Sequence, residues 1–305
     1  MKRTVDRRSG CRMAKHESRA FYLFILPWLI GFFCLTLGPM LYSLYASFSE
    51  WNGIGMPLFN GFENLKTMLF EDDKFWTSIL NTFYFAFFSV PINLFVALLL
   101  AILLNKPYKG HTLFRSVFYL PSVVASVAVY IVWTNLFNPD VGYLNYVLSL
   151  LGIKGPAWLN DPHWAMPSII LMTVTFCGGS MLIFLAGLQD IPEALYEAAR
   201  MDGARPLQLF WHITVPLLSP VIFYNLVMGI IGGLQVFAQP FIMTAGGPMN
   251  STYVFGLHLY NNAFRYYKFG YACSLAWFMF MVILLLSLLV FRSSKHWVHT
   301  DNEGE

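Results

Sequence analysis

The sequence is short of charge: Asp, Glu, Lys and Arg together make up 11% of its 305 residues, against about 25% in an ordinary soluble domain. With so few water-facing groups the chain cannot clothe a globular surface, which argues against a free soluble protein. Cysteine is scarce too. Cys11, Cys34, Cys177 and Cys273 share no spacing of the kind that metal sites or disulfide scaffolds use, and they read as small packing residues. No Gly-Lys dipeptide occurs, which removes the G-x-x-x-x-G-K-[ST] loop that cradles nucleotide phosphates. HExxH, catalytic-triad spacing and paired carboxylates within apolar runs are missing as well, so no reaction centre is recognisable. His296 and His299 form an HxxH near the end, but with no further ligand nearby they read as solvated residues, and no metal site is expected.

What the chain has instead is apolar length. Hydrophobic residues make up 57% and aromatics 18%. A membrane-spanning helix needs about 20 apolar residues, and six runs qualify: 21–48, 78–104, 114–137, 167–188, 217–244 and 270–291. The expected fold class is an all-α membrane protein, because only closed helices satisfy the backbone in lipid unless a barrel forms, and the short alternating strands of a barrel are not seen. The first run exceeds the apolar core of a cleaved signal and reads as a retained helix. The division expected is a segment 1–20, a transmembrane domain 21–292 and a tail 293–305.

Lysine and arginine set the orientation, since they are held on the cytoplasmic side during insertion. Of the 19 such residues, seven lie between Lys2 and Arg19, followed on the same side by Lys106, Lys109, Arg115, Arg200, Arg205, Arg292 and Lys295. Lys66, Lys74, Lys154, Arg265 and Lys268 fall opposite. Both termini and the 189–216 loop are therefore expected in the cytoplasm. The net charge of +3 reflects this topology, and no nucleic-acid partner is expected. Trp51, Trp76, Trp158 and Trp164 sit where an aromatic belt belongs.

The segment from Asp190 to Pro216 reads as two short helices lying across the cytoplasmic face. Asp190 can cap the first, Pro192 is tolerated in its opening turn and Gly203 supplies a left-handed stop. Arg205-Pro206 begins the second. Two readings fit: an interfacial helix joining two spans, or a docking element. Glu193 and Glu197, like charges one turn apart, gain nothing from a negative membrane surface and favour a basic protein partner.

Glu197-Ala198-Ala199, then Gly203, nine residues, then Ile213-Thr214-Val215-Pro216 resembles the EAA loop of permease subunits in binding-protein-dependent ABC importers. Val215 stands where leucine is usual. Asn81-Thr82, the run from Leu113 to Pro121, the run from Trp158 to Pro162, Asp202-Gly203-Ala204, Thr244 to Pro248 and Gly270-Tyr271-Ala272 are similar to the carbohydrate branch, near the first permease of maltose-, lactose- and glycerol-phosphate-type systems. The resemblance implies a type I importer permease fold with a cytoplasmic coupling helix in the bacterial inner membrane. It implies that Glu197 pairs with a basic residue of the ATPase, that Ala198 and Ala199 permit close seating, and that Asp202, Gly203 and Pro216 complete the loop. It further implies a second permease, two ATP-binding cassette subunits that hold ATP and Mg, and an extracytoplasmic sugar-binding protein, with no cofactor on this chain.

Polar groups inside spans are costly in lipid and mark functional sites. The fifth run offers Asn225, Gln235 and Gln239, an uncharged set that suits a neutral hydroxylated solute, although helix–helix hydrogen bonds are the commoner use of such groups. Gly229, Gly232 and Gly233 open a notch in the same run, and Gly229 to Gly233 is also a GxxxG packing motif. The resemblance places transported sugar near this region and near Gly178 and Gly179, with room for more than a monosaccharide. An ion-coupled secondary transporter acting alone is the alternative, disfavoured by the lack of charged residues in spans and of inverted repeats.

Overall fold

The computed structural model describes residues 21–22, 24–106 and 109–299. The expected segment 1–20, Cys11 and the end of the tail, 300–305, lie outside the described residues. Helix α1 (Phe24–Ser47) is followed by a two-stranded antiparallel ribbon, β1 (Ser49–Glu50) with β2 (Leu58–Phe59), and by the short α2 (Glu63–Lys66). Next come α3 (Asp73–Leu104), α4 (His111–Val123), α5 (Ser126–Leu136) and α6 (Tyr143–Leu150). Helices α7 (Pro162–Phe176), α8 (Gly178–Asp190), α9 (Glu193–Met201), α10 (Pro206–Leu217) and α11 (Ser219–Leu234) follow. The chain closes with α12 (Ala238–Met243), α13 (Phe255–Tyr260) and α14 (Phe269–Ser294).

Three helices, α1, α3 and α14, are long and apolar enough to cross a membrane unbroken. The other spans are jointed. Helices α4 and α5 meet at 99°, α7 and α8 at 47°, and α10 and α11 at 66°, so counting each pair as one span gives six. Three of the runs expected to be continuous are therefore interrupted, the run 167–188 at Cys177. The run 114–137 breaks at Val124 and Ala125, both extended, one turn after Pro121, whose ring removes a backbone donor from the helix. The run 217–244 bends at Leu218, stops at Leu234 and resumes only at Ala238. Gly232 and Gly233 weaken its final turns, and Phe237 leaves helical geometry at φ −146°. Non-helical backbone at membrane depth is tolerated where it is buried in protein or lines a cavity.

Helix α3 is the axis of the molecule. Asp72 caps it by accepting from Lys74 N–H at 3.0 Å, and Pro91 inside it does not break it. Toward its C-terminal end Ala97, Ala101 and Leu104 pack with Met181, Phe184 and Leu188 of α8 and with Leu218. Toward its N-terminal end Phe75 and Ala86 pack with Leu234, Phe255, Leu275 and Met279. The small residues matter because lipid offers helices no hydrophobic drive to associate, so close van der Waals approach must supply it. The outward faces carry Phe24 at 84%, Leu35 at 79% and Phe95 at 66% exposure, a surface that only hydrocarbon solvates well. Trp158 leaves the expected belt: its Nε1–H donates to Asn145 Oδ1 at 2.7 Å and its ring packs on Phe137.

At the end opposite the 189–216 loop, polar groups tie distant segments together. Thr82 Oγ1 accepts from Phe255 N–H at 2.8 Å, and Asn81 Nδ2 donates to the carbonyls of Asn250 and Tyr253. His258, 2% exposed, stands 3.1 Å from Asp72 Oδ2, which also accepts from Tyr271 Oη at 2.7 Å. Tyr253 Oη lies 3.2 Å from His258 Nδ1. These partners fit a neutral imidazole that donates from Nε2 and accepts at Nδ1. Burial lowers the His258 pKa below its ordinary value, outweighing Asp72, while Lys74 pushes the same way. A folded-state pKa below 6.5 means that the unfolded chain binds more protons under that pH. Stability is thus retained above about pH 6.5 and lost as the pH falls through the lowered value. The thermal midpoint of the purified protein in detergent is expected to drop between pH 7 and pH 5, and His258→Gln to flatten that slope.

Candidate functional site

The 189–216 loop folds as two helices, with one change from expectation. Asp190 ends α8, and Pro192 is the N-cap residue of α9. The cause is steric, because a residue before proline is pushed out of helical geometry and Ile191 is extended at ψ 121°. Glu193 occupies the first turn of α9, where a carboxylate meets the positive end of the helix dipole. Gly203 adopts φ +82°, outside the range comfortable for other residues, and lets Ala204 N–H reach back to the Ala199 carbonyl at 2.9 Å. Arg205 N–H donates to Gln208 Oε1 at 2.8 Å and starts α10.

No residue of α9 is buried. Glu193, Glu197 and Ala198 face outward, and neither glutamate has an ion-pair partner among the described residues. Ala199, Asp202 and Gly203 line a cleft of about 360 Å³ between α9 and α10. The two alanines therefore serve different sides, Ala198 the free surface and Ala199 the cleft. Pro216 lies in α10 just before the bend at Leu218. Behind α9 is a recess of about 970 Å³ reaching the end of α3, lined by Asn105, Lys106, Gln189, Tyr196, Arg200 and Thr214 among others.

A second cavity, of about 590 Å³, lies among α3, the α4/α5 joint, the α7/α8 joint and α11. Ser89 and Asn93 come from α3, Ser122 and Ser126 flank the α4/α5 break, and Thr173 and Ser180 flank the α7/α8 joint. Asn225, Gly229, Gly232 and Gly233 enter from α11 and Gln239 from α12. Asn93 Nδ2 donates to Ser89 O at 2.8 Å and to Thr173 Oγ1 at 2.9 Å. Asn225 Nδ2 donates to Val221 O at 3.0 Å, which leaves its Oδ1 free to accept. Tyr130 and Phe176, ring centroids 5.9 Å apart, supply aromatic wall. Not one lining residue carries a formal charge.

A family model described as "Binding-protein-dependent transport system inner membrane component" matches residues 70–298. The chain belongs to this family. It is 40% identical over 305 residues to a probable ABC transporter permease protein, YesP, of Bacillus subtilis (strain 168), covering 99% of this chain and 98% of the relative. It is 37% identical to the lactose transport system permease protein LacF of Rhizobium radiobacter, covering 90% and 93%. Among solved structures it is similar to a chain of a bacterial alginate ABC transporter in complex with alginate pentasaccharide-bound periplasmic protein. That match has a TM-score of 0.82 and 25% identity, covering 93% of this chain and 97% of the other. The molecule is thus a multi-pass transport subunit of the inner membrane with a type I permease fold, and its family is one of transport subunits, not of catalysts.

The expected substrate-path residues of the permease divide into two groups. Asn225, Gly229, Gly232, Gly233 and Gln239 line the cavity. Gly178, Gly179 and Gln235 do not. A Cβ on Gly178 would collide with the Phe118 carbonyl, so this glycine permits α4 to press its backbone against α8. Gly179 has open space around it but points elsewhere, and Gln235 is exposed at the break after α11. A Cβ on Gly229 or Gly233 would lie 2.9 Å or 3.1 Å from a Val90 methyl of α3, so both glycines also permit close packing, whereas Gly232 faces free space. The α3 and α7 contributors were missed by sequence reasoning. Their signal was Ser89 and Asn93 four residues apart, one helical turn, in an otherwise apolar run.

Proposed function

We propose that this permease is the membrane-spanning subunit of an ATP-driven carbohydrate importer that takes an oligosaccharide or glycoside and forms half of its pathway. The observation that carries the reading is the 590 Å³ cavity at the meeting of two broken spans, lined by hydroxyl and amide groups and by no charge. Such a lining replaces the hydration of a neutral hydroxylated solute without the desolvation cost of a buried ion, and the volume suits a small-molecule site. The chain positions hydroxyls at Ser89, Ser126 and Thr173 and amides at Asn93, Asn225 and Gln239.

Coupling to ATP falls to the 189–216 loop. Glu197 on the exposed face of α9 offers a carboxylate to a basic residue of a separate ATPase subunit, with Ala198 beside it as a small contact surface and Gly203 shaping the turn. Two such ATPases hold ATP and Mg, a second permease completes the pathway, and an extracytoplasmic binding protein delivers the sugar to the far end. Both termini and the loop lie in the cytoplasm. Names of relatives for lactose and alginate transport support the substrate class.

The test is reconstitution with the co-encoded partners in proteoliposomes, measuring sugar uptake and sugar-stimulated ATP hydrolysis. Asn93→Ala and Asn225→Ala are each expected to lower uptake about fivefold, the worth of one net hydrogen bond, with the complex still assembled. Uptake driven by an ion gradient without ATPase partners would establish the secondary-transporter alternative instead.

A further inference from the structure

We infer that Tyr196 is a positioning residue that links the ATPase-docking helix to the pore-lining helix through Thr214; the inference rests on the coupling role proposed for the loop. Helix α9 has no buried residue and stands over the 970 Å³ recess rather than against the spans. Across that recess Tyr196 Oη lies 3.0 Å from Thr214 Oγ1. Among the described residues this is the one side-chain hydrogen bond that joins α9 to α10. The two ends differ in character: α9 is solvent-facing, while Thr214 is 6% exposed and buried in the body.

Thr214 occupies a mechanically sensitive place. It ends a wide, π-type turn, Phe210–Thr214, inside α10. A turn of that kind marks a soft point in a helix, often a functional one. Its hydroxyl also reaches the Leu209 carbonyl at 3.4 Å, five residues back, across that turn. Two residues on is Pro216, and the 66° bend into α11 follows at Leu218. Helix α11 brings Asn225 and Gly232 to the cavity. A pull on α9 thus reaches the cavity wall through one hydroxyl pair seated at the hinge.

Tyr196→Phe removes the hydroxyl and keeps the ring. In the assembled complex, Tyr196→Phe and Thr214→Val are each expected to lower sugar-stimulated hydrolysis and uptake about fivefold, while the ATPase still co-purifies with the permease. Thr214→Ser, which keeps the hydroxyl, should restore near-normal coupling. The double variant Tyr196→Phe with Thr214→Val should be no worse than either single, since both remove the same link. Wild-type stimulation in Tyr196→Phe, additive losses in the double variant, or failure of both single variants to accumulate in the membrane would overturn the inference. Glu197→Ala separates the two readings: if Glu197→Ala leaves stimulated hydrolysis intact, the coupling role of the loop fails. If it impairs hydrolysis while Tyr196→Phe does not, only the link fails.

Discussion

Replacing Glu197 by lysine will abolish sugar-stimulated ATP hydrolysis in the reconstituted complex and separate the ATPase from the permease during purification. The carboxylate is on an exposed helix and makes no ion pair among the described residues, so the isolated chain loses little stability from the change. In the proposed docking the same position meets a cation at an interface, where losing one partner of a close charge pair costs about 2–5 kcal/mol, a factor of roughly 30 or more in affinity. Lysine adds repulsion to that loss. Glu197→Gln, which keeps shape and removes charge, should fall between. Glu193→Gln serves as the comparison, because its carboxylate is placed to favour the N-terminus of α9 and its loss is expected to cost about 0.3–1 kcal/mol of helix stability. Stimulated hydrolysis unchanged in Glu197→Lys would remove α9 from the coupling scheme.

The second large effect sets two glycines against each other. Gly232→Leu should reduce sugar uptake at least about tenfold while the protein accumulates and assembles normally, because a side chain there enters free cavity space and narrows the route rather than the packing. Gly178→Leu should instead prevent accumulation. Its side chain would be driven into the backbone of α4 at Phe118 and Tyr119, where nothing can rotate away, and overpacking of that kind costs about 1–3 kcal/mol or more. Membrane levels by immunoblot and uptake per assembled complex distinguish the two outcomes. If Gly232→Leu transports normally, the cavity is not on the sugar's path.

Both glycines looked alike in the sequence, as candidates for the same pathway, and the difference between them is a matter of rotation about a helix axis. Apolar run length identifies spans well because lipid thickness imposes it, which is why α1, α3 and α14 were legible almost to their ends. The jointed spans were harder. Pro121 and the Gly232-Gly233 pair were visible, but whether such residues bend a helix or break it depends on what the freed backbone finds as a partner. The 189–216 loop was legible because its signals are local: a proline, a left-handed glycine and a charge pattern. The α3 side of the cavity was hidden, since Ser89 and Asn93 gain their meaning only when Thr173, eighty residues on, is brought to hydrogen-bonding distance.

The length of α3 has a consequence of its own. Thirty-two residues at 1.5 Å per residue make a rod of about 48 Å, while the hydrocarbon layer is about 30 Å thick. Some 18 Å of the rod is left to be tilted or carried past the lipid. At one end it is pinned by the Asp72, His258 and Tyr271 cluster, and at the other Arg115 Nη2 holds the Leu104 carbonyl at 2.9 Å. A stiff body anchored at both water-facing ends behaves as a beam balanced on the bilayer. On the proposed function, an angular displacement imposed at the Asp72 end is carried by the rod to the Leu104 end, beside the 189–216 loop.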